Sequence, residues 1–168
     1  MKNIVLVGFM GTGKTVIAKS LARRLKMRYV STDDIIEQRE KRPISDIFAK
    51  DGESYFRRVE KRIVKEVSLM NNIVVAAGGG VVIDEENLKD LKKRGVVICL
   101  NASAEDILER TKTYAHRPLL NVPDPLGKIR ELLRAREAYY KRADYQINTS
   151  GRTRDVVIDE IVRLLERL

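Results

Sequence analysis

Gly8-Phe9-Met10-Gly11-Thr12-Gly13-Lys14-Thr15 matches the pattern G-x-x-x-x-G-K-[ST], with an apolar run before it and a helical pattern after it. That spacing fits the grip of a polyphosphate. Glycines let backbone N–H groups curl around phosphate oxygens, and the positive end of the following helix adds to the attraction. The Lys14 ammonium reaches the β and γ phosphates, and the Thr15 hydroxyl is placed to ligate Mg²⁺. Gly11, Thr12, Gly13, Lys14, Thr15 and Val16 are the expected nucleotide-binding residues. Val16 stands where a dinucleotide fingerprint would need another glycine, so that reading fails.

The destination of the phosphate is encoded further along. A GTP switch reads guanine with N-K-x-D, which is absent, and the Asp-x-x-Gly at Asp124–Gly127 follows a proline-rich loop rather than an apolar strand. A motor ATPase would close its third strand in Asp-Glu. Here NIVVAAGGG ends in Gly78, Gly79 and Gly80. Missing side chains at that point either let another molecule approach closely or make a flexible strand exit. In Ser31-Thr32-Asp33-Asp34, Asp33 or Asp34 falls at the carboxyl end of a strand, near the γ-phosphate, where a carboxylate accepts a hydroxyl proton. Ser31-x-x-Asp34 also reads as a capping box. Arg57, beside Phe56 and downstream of Phe48, suits a fork that grips a substrate carboxylate against an apolar wall. Arg58, Lys61, Arg62 and Lys65 read as a solvated basic face.

The elements that must position these groups alternate. Strands are expected at 3–8, 27–31, 72–78, 96–101 and 144–149, each apolar on both faces or nearly so, as in a covered parallel sheet. Helical stripes lie between them, including Ile17, Ala18, Leu21, Ala22 and Leu25, and later Val157, Ile161, Leu164, Leu165 and Leu168. The pattern predicts an α/β protein with right-handed crossovers. The stretch 33–70 holds two or more helices, and KTYAHRPLLNVPDPLGK reads as a flap.

At 168 residues the chain is expected to be one domain. Its net charge of +9 is spread along helices among acids, without aromatic interleaving, so anionic small substrates are expected and nucleic acid is not. No apolar run approaches the ~20 residues of a membrane span. The front apolar run serves better as a strand than as a signal peptide. Cys99 is alone in an apolar run, which points to a reduced core residue and the cytoplasm. The single His116 excludes a histidine metal cluster, and Tyr139 and Tyr140 read as packing residues.

Taken together, G-F-M-G-T-G-K-T, T-D-x-x-I-E, D-G-E-x-x-F-R-R-x-E, G-G-G, R-P-L-L and R-x-x-x-Y resemble shikimate kinase, in order, from Asn3 to about Ser150. The resemblance implies a three-layer α/β/α P-loop fold with a five-stranded parallel sheet of order 2-3-1-4-5. It also implies an acceptor-binding helical insert at about 33–62 and a lid at about 112–124. The implied activity is phosphorylation of the 3-hydroxyl of shikimate by MgATP, on the route to chorismate and aromatic amino acids, by a monomer. By matching position, Asp33 holds ring hydroxyls and acts as base, and Arg57 and Arg136 clasp the carboxylate. Gly78, Gly79 and Gly80 line the ring, and Phe48 and Phe56 wall the pocket. Arg117 closes with the lid onto the transferring phosphate, while Arg110 and Arg152 sit on the nucleotide side. The alternatives are another small-metabolite P-loop kinase, of the gluconate or nucleotide type, and an ATP-binding regulatory module without catalysis. One departure stands out: many members read D-T-D where this chain reads Ser31-Thr32-Asp33. Mg²⁺ then rests on Thr15, phosphates and water, or Asp34 substitutes.

Overall fold

Runs of Val, Ile and Leu too short for helices and bounded by turn residues give the strands, and the stripes between them give the helices that cover the sheet. A computed structural model describes residues 2–112 and 121–168. The first half of the chain runs β1 (Asn3–Val7), α1 (Lys14–Arg24), β2 (Arg28–Ser31), α2 (Thr32–Glu40), α3 (Ile44–Ser68) and β3 (Ile73–Ala76). A 3-10 turn (Val81–Ile83) leads to α4 (Glu85–Arg94) and β4 (Gly95–Asn101). The chain then continues through α5 (Ala104–Thr111), α6 (Pro125–Tyr140), β5 (Tyr145–Asn148) and α7 (Arg154–Leu165). Of the expected lid, residues 113–120, with His116 and Arg117, lie outside the described residues.

The sheet has five parallel strands in the order β2-β3-β1-β4-β5, as expected. Register pairs Leu6 with Ala76 on one side of β1 and Val7 with Cys99 on the other. Alternation along β1 divides the core. Val5 and Val7 pack with Ile63, Val75, Val97 and Ile129 beneath the helices α2 to α6. Ile4 and Leu6 pack with Ile17, Leu21, Val74, Ile98 and Ile158 beneath α1 and α7. Cys99 is fully buried in the first of these cores.

Helix starts differ in a way that matters later. Ser31, Asp84, Ser103, Asp124 and Thr153 each cap a helix by accepting from an amide in its first turn. Helix α1 has no such cap and no acid in its first turn; Gly13 precedes it with φ 97°. Its first amides are left for something else. The insert between β2 and β3 is α2 plus α3, and α3 breaks at Gly52 (φ 82°, ψ 173°). Nothing lies within 4 Å of a Cβ built at Gly52, so the backbone angle alone calls for glycine there. The break aims Phe48 and Phe56 at each other, with ring centroids 4.8 Å apart. The insert is tied by Arg42 paired with Asp51 and by Tyr55 Oη donating to Glu40 at 2.9 Å.

Candidate active site

The phosphate loop follows β1 directly. Thr12 is buried and its Oγ1 donates to Phe9 O at 2.8 Å, which closes the loop on itself. Lys14 Nζ donates to Gly8 O at 2.7 Å and Phe9 O at 2.9 Å, so the ammonium lies over the loop. From outside, Arg110 Nη1 donates to Gly11 O at 3.2 Å and to Thr149 Oγ1 at 3.1 Å. Thr149 Oγ1 in turn lies 3.2 Å from Thr12 O and 3.0 Å from Asn101 O, sharing one proton between them. Arg152 sits past β5, with Nη1 on Asn148 O at 2.9 Å and Nη2 on Glu160. An uncapped helix, an ammonium and amides held by their carbonyls make an anion cradle.

The second half of the site gathers around the exit of β3, and the three glycines there report its geometry. A Cβ on Gly78 would stand 2.7 Å from Asp33 Oδ1 and 3.1 Å from Glu60 Oε2. On Gly80 it would stand 2.6 Å from Arg57 Cζ, inside the guanidinium's own space. On Gly79 it would make ordinary contacts, 3.6 Å from Arg136 Nη1 and 3.7 Å from both Gly8 O and Met10 N. None of the three has a positive φ. Space, not backbone conformation, dictates glycine at 78 and 80. Sequence reasoning assigned that space to a ligand or a flexible exit; over Gly78 and Gly80 it is filled by the protein's own charged side chains.

Those side chains are firmly held. Arg57 Nη1 donates to Glu60 Oε1 at 2.8 Å and Nη2 to Glu53 Oε1 at 3.3 Å, with the guanidinium 5.2 Å over the Phe56 ring. Arg136 is buried and stacks 5.6 Å over Phe9. Tyr140 Oη donates to Gly79 O at 2.7 Å, and burial pushes its phenol up to about 12. Tyr140 thus packs, as expected, and also fixes the glycine strip. A cleft of about 570 Å³ opens between α3 and the start of α4, reaching Arg57, Glu60 and Gly80.

Glu60 is the residue that sequence reasoning missed. It is 1% exposed, and its Oε2 has no hydrogen-bond partner among the described residues. Burial pushes its carboxyl up to about 7; Arg57 and, more weakly, Arg136 oppose the rise, and Asp33 adds to it. The signals in the sequence were its place at the end of D-G-E-x-x-F-R-R-x-E and its spacing, three residues after Arg57 on the same helical face.

The strand before Asp33 brings a second unforeseen group. Ser31 Oγ accepts from Asp34 N at 3.2 Å, so Ser31 caps α2 as the capping-box reading expects of it, and Asp33 faces the glycines. Two residues back on the same face of β2, Tyr29 turns toward α1, with Lys19 Nζ 5.4 Å over its ring. Its hydroxyl is buried and lies close to the hydroxyls of Ser31 and Thr15. Even so, it makes no hydrogen bond of ordinary length and angle. Burial, above all, holds its ionisation above the usual phenol value. On the basic face, Lys61 pairs with Asp84 at 3.0 Å and with Glu86, as a solvated face would.

The family model described as shikimate kinase matches residues 10–166. The shikimate kinase of Thermodesulfovibrio yellowstonii is 47% identical, over all of this chain and 97% of its own length. That of Thermoanaerobacter pseudethanolicus is 46% identical, over all of this chain and 98% of its own. The solved shikimate kinase from Acinetobacter baumannii, in complex with shikimate, superposes with a TM-score of 0.95 at 36% identity, covering 99% of this chain and 94% of that one. With a family model over nearly the whole chain and full-length relatives, the chain belongs to the shikimate kinase family, and it is an ATP-dependent phosphotransferase.

Proposed function

We propose that the chain moves the γ-phosphoryl group of ATP to the 3-hydroxyl of shikimate through two half-sites that meet at Gly79. One observation carries this division. A point on Gly79 lies within 3.7 Å of both the phosphate loop and Arg136, so nucleotide and acceptor groups share one wall. The α1 amides and Lys14 take the phosphates. Arg57 and Arg136 clasp the acceptor's carboxylate, and Phe48 and Phe56 exclude water beside it. Gly79 leaves the floor open, while Gly78 and Gly80 make room for Asp33 and Arg57 beside it. Asp33, at the edge of that floor, aims the hydroxyl and receives its proton, so the attacking oxygen gains electron density as the γ-phosphorus leaves ADP. Arg110 and Arg152 flank the nucleotide. Arg117, from the lid expected at 112–124, supports the transferring phosphate and keeps water out.

Magnesium, when bound, supplies charge neutralisation at the β and γ phosphates. Thr15 would hold it. Among the described residues there is no group of three or more His, Cys, Asp or Glu that could hold a metal by itself. A hydroxyl-lined site fits an ion that keeps most of its waters and arrives with the phosphates. No described helix is long and apolar enough to cross a membrane. We read the chain as a single domain that acts as a cytoplasmic monomer on two small anionic substrates, without nucleic acid.

The test is coupled ADP release, with and without shikimate, for the parent and for Arg57→Ala and Arg136→Ala. Turnover should depend on shikimate. Each variant should raise the shikimate KM by roughly tenfold or more, the size of a lost charge-assisted hydrogen bond, with ATP binding preserved. Equal loss of both ligands would make the two arginines structural.

A further inference from the structure

We infer that Thr149 is a positioning residue for phosphoryl transfer: its hydroxyl proton, given to Thr12 O, fixes the angle at which the phosphate loop presents its amides to ATP. The inference rests on the reading that this loop and the start of α1 take the phosphates. Thr149 directly follows β5 and is 3% exposed. A threonine past a strand end carries no signal in the sequence. Its role comes from what surrounds one oxygen. Arg110 Nη1 donates to Thr149 Oγ1 at 3.1 Å, and two carbonyls lie within reach, Thr12 O at 3.2 Å and Asn101 O at 3.0 Å. A guanidinium offers no lone pair, so the single hydroxyl proton must serve the carbonyls. Asn101 O already receives the Thr149 amide at 2.8 Å. Thr12 is 1% exposed, and its carbonyl receives no backbone amide among the described residues. A buried carbonyl left unmatched is costly, so the balance of the shared proton lies with Thr12 O.

Arg110 completes the arrangement. Its Nη1 also donates to Gly11 O at 3.2 Å, and its Nη2 to Thr149 O at 3.2 Å. Two side chains that hold each other thus hold two consecutive carbonyls of the loop. Of the two, Thr149 alone reaches Thr12 O. A carbonyl fixed in this way stops its rigid peptide unit from turning, and the amide of Gly13 keeps one direction. Valine has nearly the shape of threonine and lacks the hydroxyl, so one substitution separates the bond from the packing.

The experiment compares the full chain with Thr149→Val and with Thr149→Ser, which keeps the hydroxyl. ADP and shikimate affinities are measured by calorimetry, and kcat and the KM of each substrate by coupled ADP release. Thr149→Val should weaken ADP binding and raise the KM for ATP by about three- to tenfold, the size of one hydrogen bond. Its shikimate affinity, and its KM for shikimate at saturating ATP, should stay within twofold of the parent's. Thr149→Ser should bring ADP affinity back to within twofold. If Thr149→Val does not fold, Thr149→Ala removes the same hydroxyl and is read in the same way. ADP affinity within twofold of the parent's in the variant without the hydroxyl overturns the inference. So does an equal loss of both ligands, or a serine variant no better than the valine one, because either marks a threonine that serves the fold alone. If the parent itself does not bind ADP, the reading of the loop as a nucleotide cradle falls first and takes the inference with it. If the parent binds ADP and Thr149→Val is silent, the inference falls by itself.

Discussion

Gly80→Ala adds one methyl group and should disable the acceptor half of the site. The added carbon would stand 2.6 Å from Arg57 Cζ, and ordinary carbon contacts begin near 3.5 Å, so the guanidinium must retreat by about 1 Å. Arg57 is anchored to Glu60 Oε1 at 2.8 Å, and a retreat of that size carries it beyond hydrogen-bond range. Two routes then give the same magnitude. A charge-assisted hydrogen bond to the substrate carboxylate is worth about 1.5–3 kcal/mol, or roughly ten- to hundredfold in affinity. A reacting group displaced by about 1 Å costs up to about a hundredfold in rate. We therefore expect kcat/KM for shikimate to fall ten- to hundredfold in steady-state assays. ADP and ATP affinity, measured by calorimetry, should stay within twofold, because the three atoms nearest the added carbon all belong to Arg57 and none to the phosphate loop. Folding should survive, since the obstructing atoms belong to the end of a long, adaptable side chain. A variant with kcat/KM within twofold of the parent would refute the claim that this glycine exists to seat Arg57.

Gly79→Ala should behave differently: its new contacts, at 3.6 and 3.7 Å, are ordinary, so the free protein should keep its melting temperature. Shikimate affinity should still drop at least tenfold by calorimetry, because the floor under the ring is raised. Asp33→Asn should cut kcat at least a hundredfold in the coupled assay while nucleotide affinity holds, since an amide does not accept the hydroxyl proton. Glu60→Gln should change how stability depends on pH in denaturant titrations. In the parent the native carboxyl keeps its proton up to about 7 and the unfolded one releases it near 4.5, so stability declines as pH rises between those values and then levels off. The variant lacks that decline. The difference between the two proteins should grow from pH 4.5 to above 7, to at most about 3 kcal/mol, and a constant difference across that range would contradict the burial argument.

What the sequence disclosed and what it withheld divide along physical lines. The phosphate loop is contiguous, and its function resides in backbone geometry, so Gly13, Lys14 and Thr15 announce it without help. The strands were legible because burial on both faces leaves unbroken apolar runs, as in Val5 to Val7 and Val74 to Val75. Their order across the sheet came from the family resemblance, because no local pattern records which strand neighbours which. Asp33 and Asp34 could not be separated by spacing alone; the Ser31 cap on the Asp34 amide and the position of Asp33 over Gly78 are tertiary facts. Glu60 was hidden for a related reason. On a helix rich in Arg, Lys and Glu, one more acid looks solvated, and only the sheet packed against α3 makes it buried. Tyr29 escaped notice because an aromatic residue on a strand reads as packing, and its unsatisfied oxygen is visible only with α1 in place.

The clamp that Arg110 and Thr149 place on the carbonyls of Gly11 and Thr12 has a thermodynamic side. Every peptide unit in this loop is trans, so an oxygen pinned outward obliges the next N–H to face the opposite way. Helix α5 and the tail of β5 therefore set the direction of the amides of Thr12 and Gly13 before any nucleotide arrives. An incoming polyphosphate meets a receptor already assembled, so its capture freezes few backbone torsions and its binding entropy should carry little penalty from the loop.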